Sequence, residues 1–308
     1  MKKFAIIIPS YNEEENVPLF YEEAIKHLDI EGYVFDLIFV DDGSTDKTLD
    51  EIKILRKRDS RVKYISFSRN FGKEAAMHAG MEASREKDGV IIIDCDLQQP
   101  SSLIPEMINY HEQGYNIIYT KSSSRKNEPR LRTFFANWFY RLYNLYTERP
   151  LDNGAKDFQL LDHTVVKAFL KIKDSHRFVK GIFSWVGYKK KCIEFDFVPR
   201  RHGKSSWNFS SLLKYAFDGM NQFSTFLMVI PLILVAVSML MLTSSVVLFI
   251  MEFITLSFFY LALLIGIGMV FFALFAYGVF YLLYHMRKEI LGRPIYLTEE
   301  TSEDLYIE

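Results

Sequence analysis

Two long stretches without a charged side chain constrain this chain more than any other feature: residues 219–251 and 253–284, separated by Glu252 alone. Each exceeds the roughly 20 residues needed to cross a hydrocarbon core about 30 Å thick. A pair of core helices in a water-soluble protein is the competing reading. Runs this long, rich in Leu, Phe, Val and Met, instead predict membrane helices over residues 226–250 and 255–284. Pro231 marks entry into the first. Lys214 precedes the pair and Arg287, Lys288 and Arg293 follow it, so the positive flanks predict a hairpin with both chain ends in the cytoplasm. The start, Met1-Lys2-Lys3 and then apolar residues 4–8, imitates a secretion signal. It runs into Glu13-Glu14-Glu15 too soon to contain an h-region. The expected location is therefore the plasma (inner) membrane, with the large N-terminal part cytosolic.

A length of 308 residues suits one domain plus this appendage. The expected division is a catalytic domain over 1–208, an interfacial helix over 209–222, two membrane helices over 223–285 and an acidic cytosolic tail over 286–308. Within that tail, Glu299 to Glu308 reads as solvated and without fixed structure, from its run of acidic residues. Charge is nearly balanced, 37 Lys and Arg against 38 Asp and Glu, so no global field points to nucleic acid as a partner. Two cysteines, Cys95 and Cys192, are too few for a disulfide framework and form no Cys-x-x-Cys pair.

Residues 1–93 alternate between strand and helix patterns. Short apolar runs at 4–8, 35–40, 62–66 and 89–93 read as buried strands, and segments 14–28, 47–58 and 73–84 read as the helices between them. This predicts an α/β fold with a mainly parallel sheet. In such sheets ligands bind beyond the carboxyl ends of the strands, and the unusual polar residues fall there: Glu13 after the first strand, Asp41-Asp42 after the second, Asp94-Cys95-Asp96 after the fourth. None of these loops is a glycine-rich dinucleotide turn. Gly203-Lys204-Ser205 imitates the end of a P-loop, but position 198, where that motif needs Gly, is Val198.

A lone Asp-x-Asp is usually a turn former. Here Asp94 and Asp96 share a sheet edge with three further carboxylates, which repel one another unless a cation neutralises them. The pattern therefore points to a divalent cation, Mg2+ or Mn2+, bridging carboxylates to a diphosphate.

Pro9-Ser10-Tyr11-Asn12-Glu13-Glu14, Asp41-Asp42-Gly43-Ser44-Thr45-Asp46, Arg69-Asn70-Phe71-Gly72-Lys73 and Asp94-Cys95-Asp96-Leu97-Gln98 resemble the ordered motifs of family 2 glycosyltransferases. The likeness is to the polyprenyl-phosphate branch, related to dolichol-phosphate mannose synthase. It continues through Asp157-Phe158-Gln159-Leu160-Leu161, His176-Arg177-Phe178, Arg200-Arg201-His202-Gly203-Lys204-Ser205 and the membrane tail. The resemblance implies a GT-A (Rossmann-like) fold, a nucleotide-sugar donor and a lipid-phosphate acceptor. It implies that Pro9, Tyr11 and Glu13 line the nucleotide and that Asp41 reads base or ribose. Asp94 and Asp96, with Gln98, would hold the metal and donor diphosphate, and Asp157 would stand beside the acceptor. Arg201, Lys204 and Ser205 match a basic loop over phosphate, and Arg125 and Arg130 are further acceptor-phosphate candidates. Two positions depart from the pattern: Gln159 stands where Arg is frequent, and Cys95 replaces Ala, its side chain expected to pack away from its Asp neighbours.

Direct displacement on an α-linked nucleotide sugar inverts the anomeric centre. A lipid phosphate has a second pKa of about 6, so at neutral pH the nucleophile is already ionised and Asp157 has more need to position it than to take a proton, although a base role stays open. Two anions must then approach, which requires cations. Residues 121–149 and 189–214 are rich in them, and interleaved aromatics (Phe134, Phe135, Trp138, Phe139, Tyr140, Tyr143) predict segments lying on an anionic lipid surface rather than merely solvated ones. A processive polysaccharide synthase is disfavoured by the lack of a Gln-x-x-Arg-Trp motif, and a non-catalytic membrane scaffold by the intact acidic set. The expected reaction is hexose transfer from UDP-glucose or UDP-N-acetylglucosamine to a polyprenyl phosphate. A homo-oligomer is compatible with this reading.

Overall fold

The computed structural model describes residues 1–123, 130–147, 149–172, 174, 177–196, 219–220, scattered positions between 233 and 247, 254–291 and 294–305. An eight-stranded sheet organises them. Its strands are β1 (Lys2–Ser10), β2 (Tyr33–Asp41), β3 (Val62–Phe67), β4 (Gly89–Ile92), β5 (Ile117–Ser122), β6 (Ala155–Asp162), β7 (Lys190–Phe195) and β8 (Thr298–Thr301), in spatial order β7-β5-β6-β4-β1-β2-β3-β8. The apolar runs of β1 to β4 pair in parallel, as their two-sided burial demands. Beyond β4 the sheet changes character. β6 inserts antiparallel between β4 and β5, while β7 returns parallel to β5. The α/β expectation holds, with a mixed sheet.

Side chains alternate along each strand and feed two cores. Phe4, Ile6 and Ile8 face α1 (Asn16–Ala24), α2 (Thr48–Arg58) and α4 (Ile104–Glu112). Ala5 and Ile7 face the other layer, α3 (Lys73–Ala83), α6 (His163–Lys171) and α7 (Val179–Trp185). Gly80 lets α3 lie against β1, since a Cβ there would collide with Ile7. Between β5 and β6 runs α5 (Arg130–Leu145), which buries Tyr143 and exposes Trp138 and Leu145. Tyr143, Leu151, Phe178 and Met220 form a third apolar cluster, which anchors the entry to the first uncharged run on the sheet domain.

The last helix, α8 (Ile254–Leu291), contains a stretch, Leu264–Tyr284, long and apolar enough to cross a membrane; its mean hydropathy is 2.1 and none of it is buried. The expected first span, 226–250, lies largely outside the described residues, as does the expected interfacial helix over 209–222 apart from Gly219 and Met220.

One expectation is corrected. The acidic tail is not simply solvated: Thr298–Thr301 forms β8, antiparallel to β3, with Ile65 opposite Thr301 and Ser66 opposite Glu300. Asp304 pairs with Arg56 at 3.0 Å and Lys63 at 3.3 Å, and Lys53 pairs with Glu300. The basic flank of α2 and β3 therefore holds the acidic tail against the sheet.

Candidate active site

The loops after β1 and β2 are stapled together. The Asn12 amide donates to Ser44 Oγ at 3.0 Å, the Thr45 amide donates to Asn12 Oδ1 at 2.9 Å, and the Glu13 amide donates to Thr48 Oγ1 at 2.8 Å. Asn12 adopts φ 54°, a left-handed conformation that Asn tolerates well. Pro9 lies within β1 opposite Val40, and Tyr11 beyond it is exposed. Asp41 is buried, and both its oxygens are used internally. One accepts from the Ser44 amide at 3.1 Å and the other from Ser66 Oγ at 2.9 Å. Asp42 is buried too and accepts the Phe71 amide at 2.7 Å and the Gly72 amide at 2.9 Å. Burial pushes its carboxyl up to about 6 against the opposing pull of those two donors. Gly43, at φ 67°, sits where a Cβ would strike the Arg69 backbone, so glycine alone permits the two loops to approach.

At the end of β4 the chain turns through Leu97, a bulky residue at φ 58°. Such a conformation costs about 1–3 kcal/mol and persists only where the surroundings enforce it. Here the Gln98 amide donates to Asp96 Oδ1 at 3.1 Å, which closes the turn. Asp94, Asp96 and Gln98 are half-buried around Cys95, which is packed as expected. Burial, followed by the charges of Glu13 and Asp96, pushes the Cys95 thiol well up. Among the described residues no three His, Cys, Asp or Glu side chains converge on one point. The oxygens that the family resemblance assigns to a cation are those of Asp94, Asp96 and the Gln98 side chain. An all-oxygen set of this kind suits a hard divalent ion.

The main feature that sequence reasoning missed is cationic. Lys73, the first residue of α3, places Nζ 2.5 Å from Asp94 Oδ1 and 2.6 Å from Asp157 Oδ2. Lys180 of α7 approaches Asp157 Oδ1 at 3.3 Å and donates to the Ala155 carbonyl at 3.1 Å. Burial alone raises the Asp157 carboxyl, but the Lys180 and Lys73 ammonium groups outweigh it and hold the carboxyl well below the usual carboxylate range. Burial likewise opposes the charge on Lys73, and Asp157 and Asp94 more than offset it, holding its ammonium firmly protonated. The clue was present: Lys73 ends the Arg69-to-Lys73 motif, which Asp42 fixes through Gly72. Gln159 is buried in β6 beside a cavity of about 50 Å3 that Lys180, Lys190, Asp152 and Tyr119 also line. That volume suits a few ordered waters rather than a sugar. Arg130 opens α5, whereas Arg125, Arg201, Lys204 and Ser205 lie outside the described residues.

The model of glycosyl transferase family 2 matches residues 5–168. The chain belongs to this family. This family 2 glycosyltransferase is 43% identical over 220 residues to glycosyltransferase CsbB of Bacillus subtilis (strain 168), a match covering 71% of this chain and 66% of that one. It is 35% identical over 224 residues to the prophage bactoprenol glucosyl transferase homolog of Escherichia coli (strain K12), covering 73% of each. Against the bactoprenol glucosyl transferase of Shigella phage SfV the identity is 36%, again over 73% of each chain. A crystal structure of glucosyl-3-phosphoglycerate synthase from Mycobacterium tuberculosis with phosphoglyceric acid superposes with a TM-score of 0.48 at 16% identity, over 71% of this chain and 79% of that one. The α/β architecture of the family 2 glycosyltransferase is the Rossmann-like GT-A arrangement with a mixed sheet.

Proposed function

We propose that this chain is a membrane-bound, inverting glycosyltransferase that moves glucose from UDP-glucose to a polyprenyl phosphate. The observation that carries this reading is the meeting of Asp94 and Asp157 on one ammonium group, Lys73 Nζ. It brings the carboxylate assigned to the donor diphosphate and the one assigned to the acceptor into a single site. The relatives named bactoprenol glucosyl transferase favour glucose and a polyprenyl acceptor over the N-acetylglucosamine alternative.

In this reading Pro9, Tyr11 and Glu13 border the nucleotide. Asp41, with both oxygens engaged, shapes the base-side loop through Ser44 and Ser66. Asp94, Asp96 and Gln98 would hold Mg2+ or Mn2+, which when bound offsets charge on the leaving diphosphate. Asp157 is kept ionised by two lysines and is therefore a weak proton acceptor. Its work is to hold Lys180 where an anionic acceptor needs a cation, while the acceptor phosphate supplies its own nucleophilic oxygen. Arg125, Arg130, Arg201, Lys204 and Ser205 are proposed to escort that phosphate.

Sheet topology supports a two-helix hairpin. A strand cannot hydrogen-bond across a bilayer, so β8 lies on the same side as β3. The chain between β7 and β8 must then cross an even number of times. If Leu264–Tyr284 spans, one further crossing precedes it, in the uncharged run before Glu252. The exposed Trp138 and Leu145 of α5 suit contact with the same lipid surface.

The test is incubation of membranes containing the protein with radiolabelled UDP-glucose, UDP-N-acetylglucosamine or GDP-mannose and undecaprenyl phosphate, followed by organic extraction. Label from UDP-glucose in the lipid phase is the expected result. Transfer only to water-soluble acceptors would overturn the reading.

A further inference from the structure

Lys73 stands where a divalent cation and its diphosphate are expected to bind. Its Nζ contacts Asp94 Oδ1 at 2.5 Å, and the other oxygen of Asp94 accepts from Gln99 Nε2 at 3.3 Å, so both oxygens of this cation ligand are occupied. An ammonium in contact with Asp94 Oδ1 weakens that oxygen as a ligand for a divalent ion, because it offsets the carboxylate's charge and repels the second cation in a half-buried site. Departure of Lys73 from Asp94 Oδ1 would restore that oxygen's full charge to an arriving cation.

The surroundings allow such a move. The backbone of Lys73 is fixed, since it begins α3 directly after Gly72, which Asp42 holds. Its side chain is a flexible four-carbon stem carrying a point charge. Asp157 would not be stranded if Lys73 swung away, because Lys180 stays at 3.3 Å from its other oxygen. A phosphate oxygen arriving beside Asp94 offers the ammonium an alternative partner of the same sign as the carboxylate it leaves.

We propose that Lys73 is a displaceable counter-cation: in the nucleotide-free enzyme it closes Asp94 to divalent ions, and it transfers to the donor diphosphate as the nucleotide binds. This inference rests on the assignment of Asp94 and Asp96 to cation and diphosphate, and it adds an order of events. Cation and nucleotide enter together, and an empty site stays charge-compensated without a cation. Lys73 is a positioning residue here, acting through Asp94 and the diphosphate.

The experiment measures Mn2+ binding to the full-length protein in detergent micelles, from the paramagnetic resonance signal of free Mn2+, with and without UDP. Wild type should bind Mn2+ weakly alone and about tenfold or more tightly with UDP, a coupling of ordinary size. Lys73→Met should bind Mn2+ without UDP about tenfold more tightly than wild type, and UDP should add little. Asp157→Asn should bind Mn2+ more weakly than wild type, because Lys73 then holds Asp94 alone. A folded Lys73→Met protein with wild-type Mn2+ affinity and wild-type response to UDP would overturn the inference. If Lys73→Met fails to fold, Asp157→Asn decides, and unchanged or tighter Mn2+ binding in that variant overturns it. Absence of Mn2+ binding in every protein, with UDP present, defeats the cation assignment itself and this inference with it. Binding that is equal in all variants defeats only the role of Lys73.

Discussion

The Tyr296 ring stacks on the Phe67 ring with centroids 4.8 Å apart and planes 20° from parallel, and its hydroxyl donates to Glu82 Oε2 at 2.7 Å. This contact ties the chain emerging from α8 to β3 and to α3, the helix whose other end carries Lys73. Tyr296→Ala should destabilise the sheet domain by about 2–4 kcal/mol, as expected for removing a large packed ring. Tyr296→Phe should cost about 1 kcal/mol, the worth of the hydrogen bond. Urea unfolding of the full chain in micelles measures both. Equal effects from the two variants would show that the ring packing contributes nothing.

Asp96→Ala should lower glycosyl transfer by about a hundredfold or more, because the proposed charge stabilisation at the leaving diphosphate is lost. Membrane insertion should be unchanged, since Asp96 lies at the end of β4 and far in sequence from either apolar run. Initial rates and carbonate extraction of membranes read the two effects separately. Near wild-type transfer would remove Asp96 from the cation site.

Asp157 makes the pH dependence specific. Its carboxyl is held below the ordinary range in the fold. The stability it contributes is therefore complete above about pH 4, the range of an unfolded aspartate, and is lost as pH falls below it. Asp157→Asn should cost about 2–3 kcal/mol at pH 7, after allowance for its partial exposure. The gap from wild type should begin to narrow as the pH is lowered from 5 to 3, without vanishing there. Denaturation midpoints over that interval test the sign, and a gap that widens in acid contradicts it.

β8 fixes a topological outcome. Green fluorescent protein fused after Glu308 should fluoresce, and alkaline phosphatase fused there should be inactive, because the tail shares a side with the sheet. An active phosphatase fusion with glycosyl transfer intact would rule out the pairing of β8 with β3.

Much of this architecture was readable from apolar pattern. Residues 4–8, 35–40, 62–66 and 89–93 became β1 to β4 because two-sided burial in a parallel sheet leaves a continuous apolar run. The later strands were less legible. Ala155-Lys156-Asp157 opens β6 with polar residues because its outer end borders the site rather than the core. β8, Thr-Glu-Glu-Thr, is an edge strand held by main-chain bonds and by Lys53, so its side chains carry no apolar signature. Asp41, Asp42, Asp94 and Asp96 fall at the carboxyl ends of β2 and β4, where the apolar pattern placed the candidate site. Their division of labour needed coordinates: Asp41 and Asp42 spend their oxygens on loop amides and Ser66. Lys73 and Lys180 stayed hidden because a lysine on a helix usually faces water, and only tertiary contact shows which one faces a carboxylate.

The pairing of β8 with β3 also sets a timetable for synthesis. The ribosome makes β3 well before β8, with the apolar helix α8 between them. The outer edge of β3 must wait unpaired until Thr298–Thr301 have been made, and it is sealed only then. A truncated product, stalled anywhere before Thr298, would carry an open strand edge that chaperones and proteases recognise. Pairing of β8 with β3 thus reports that synthesis has passed α8.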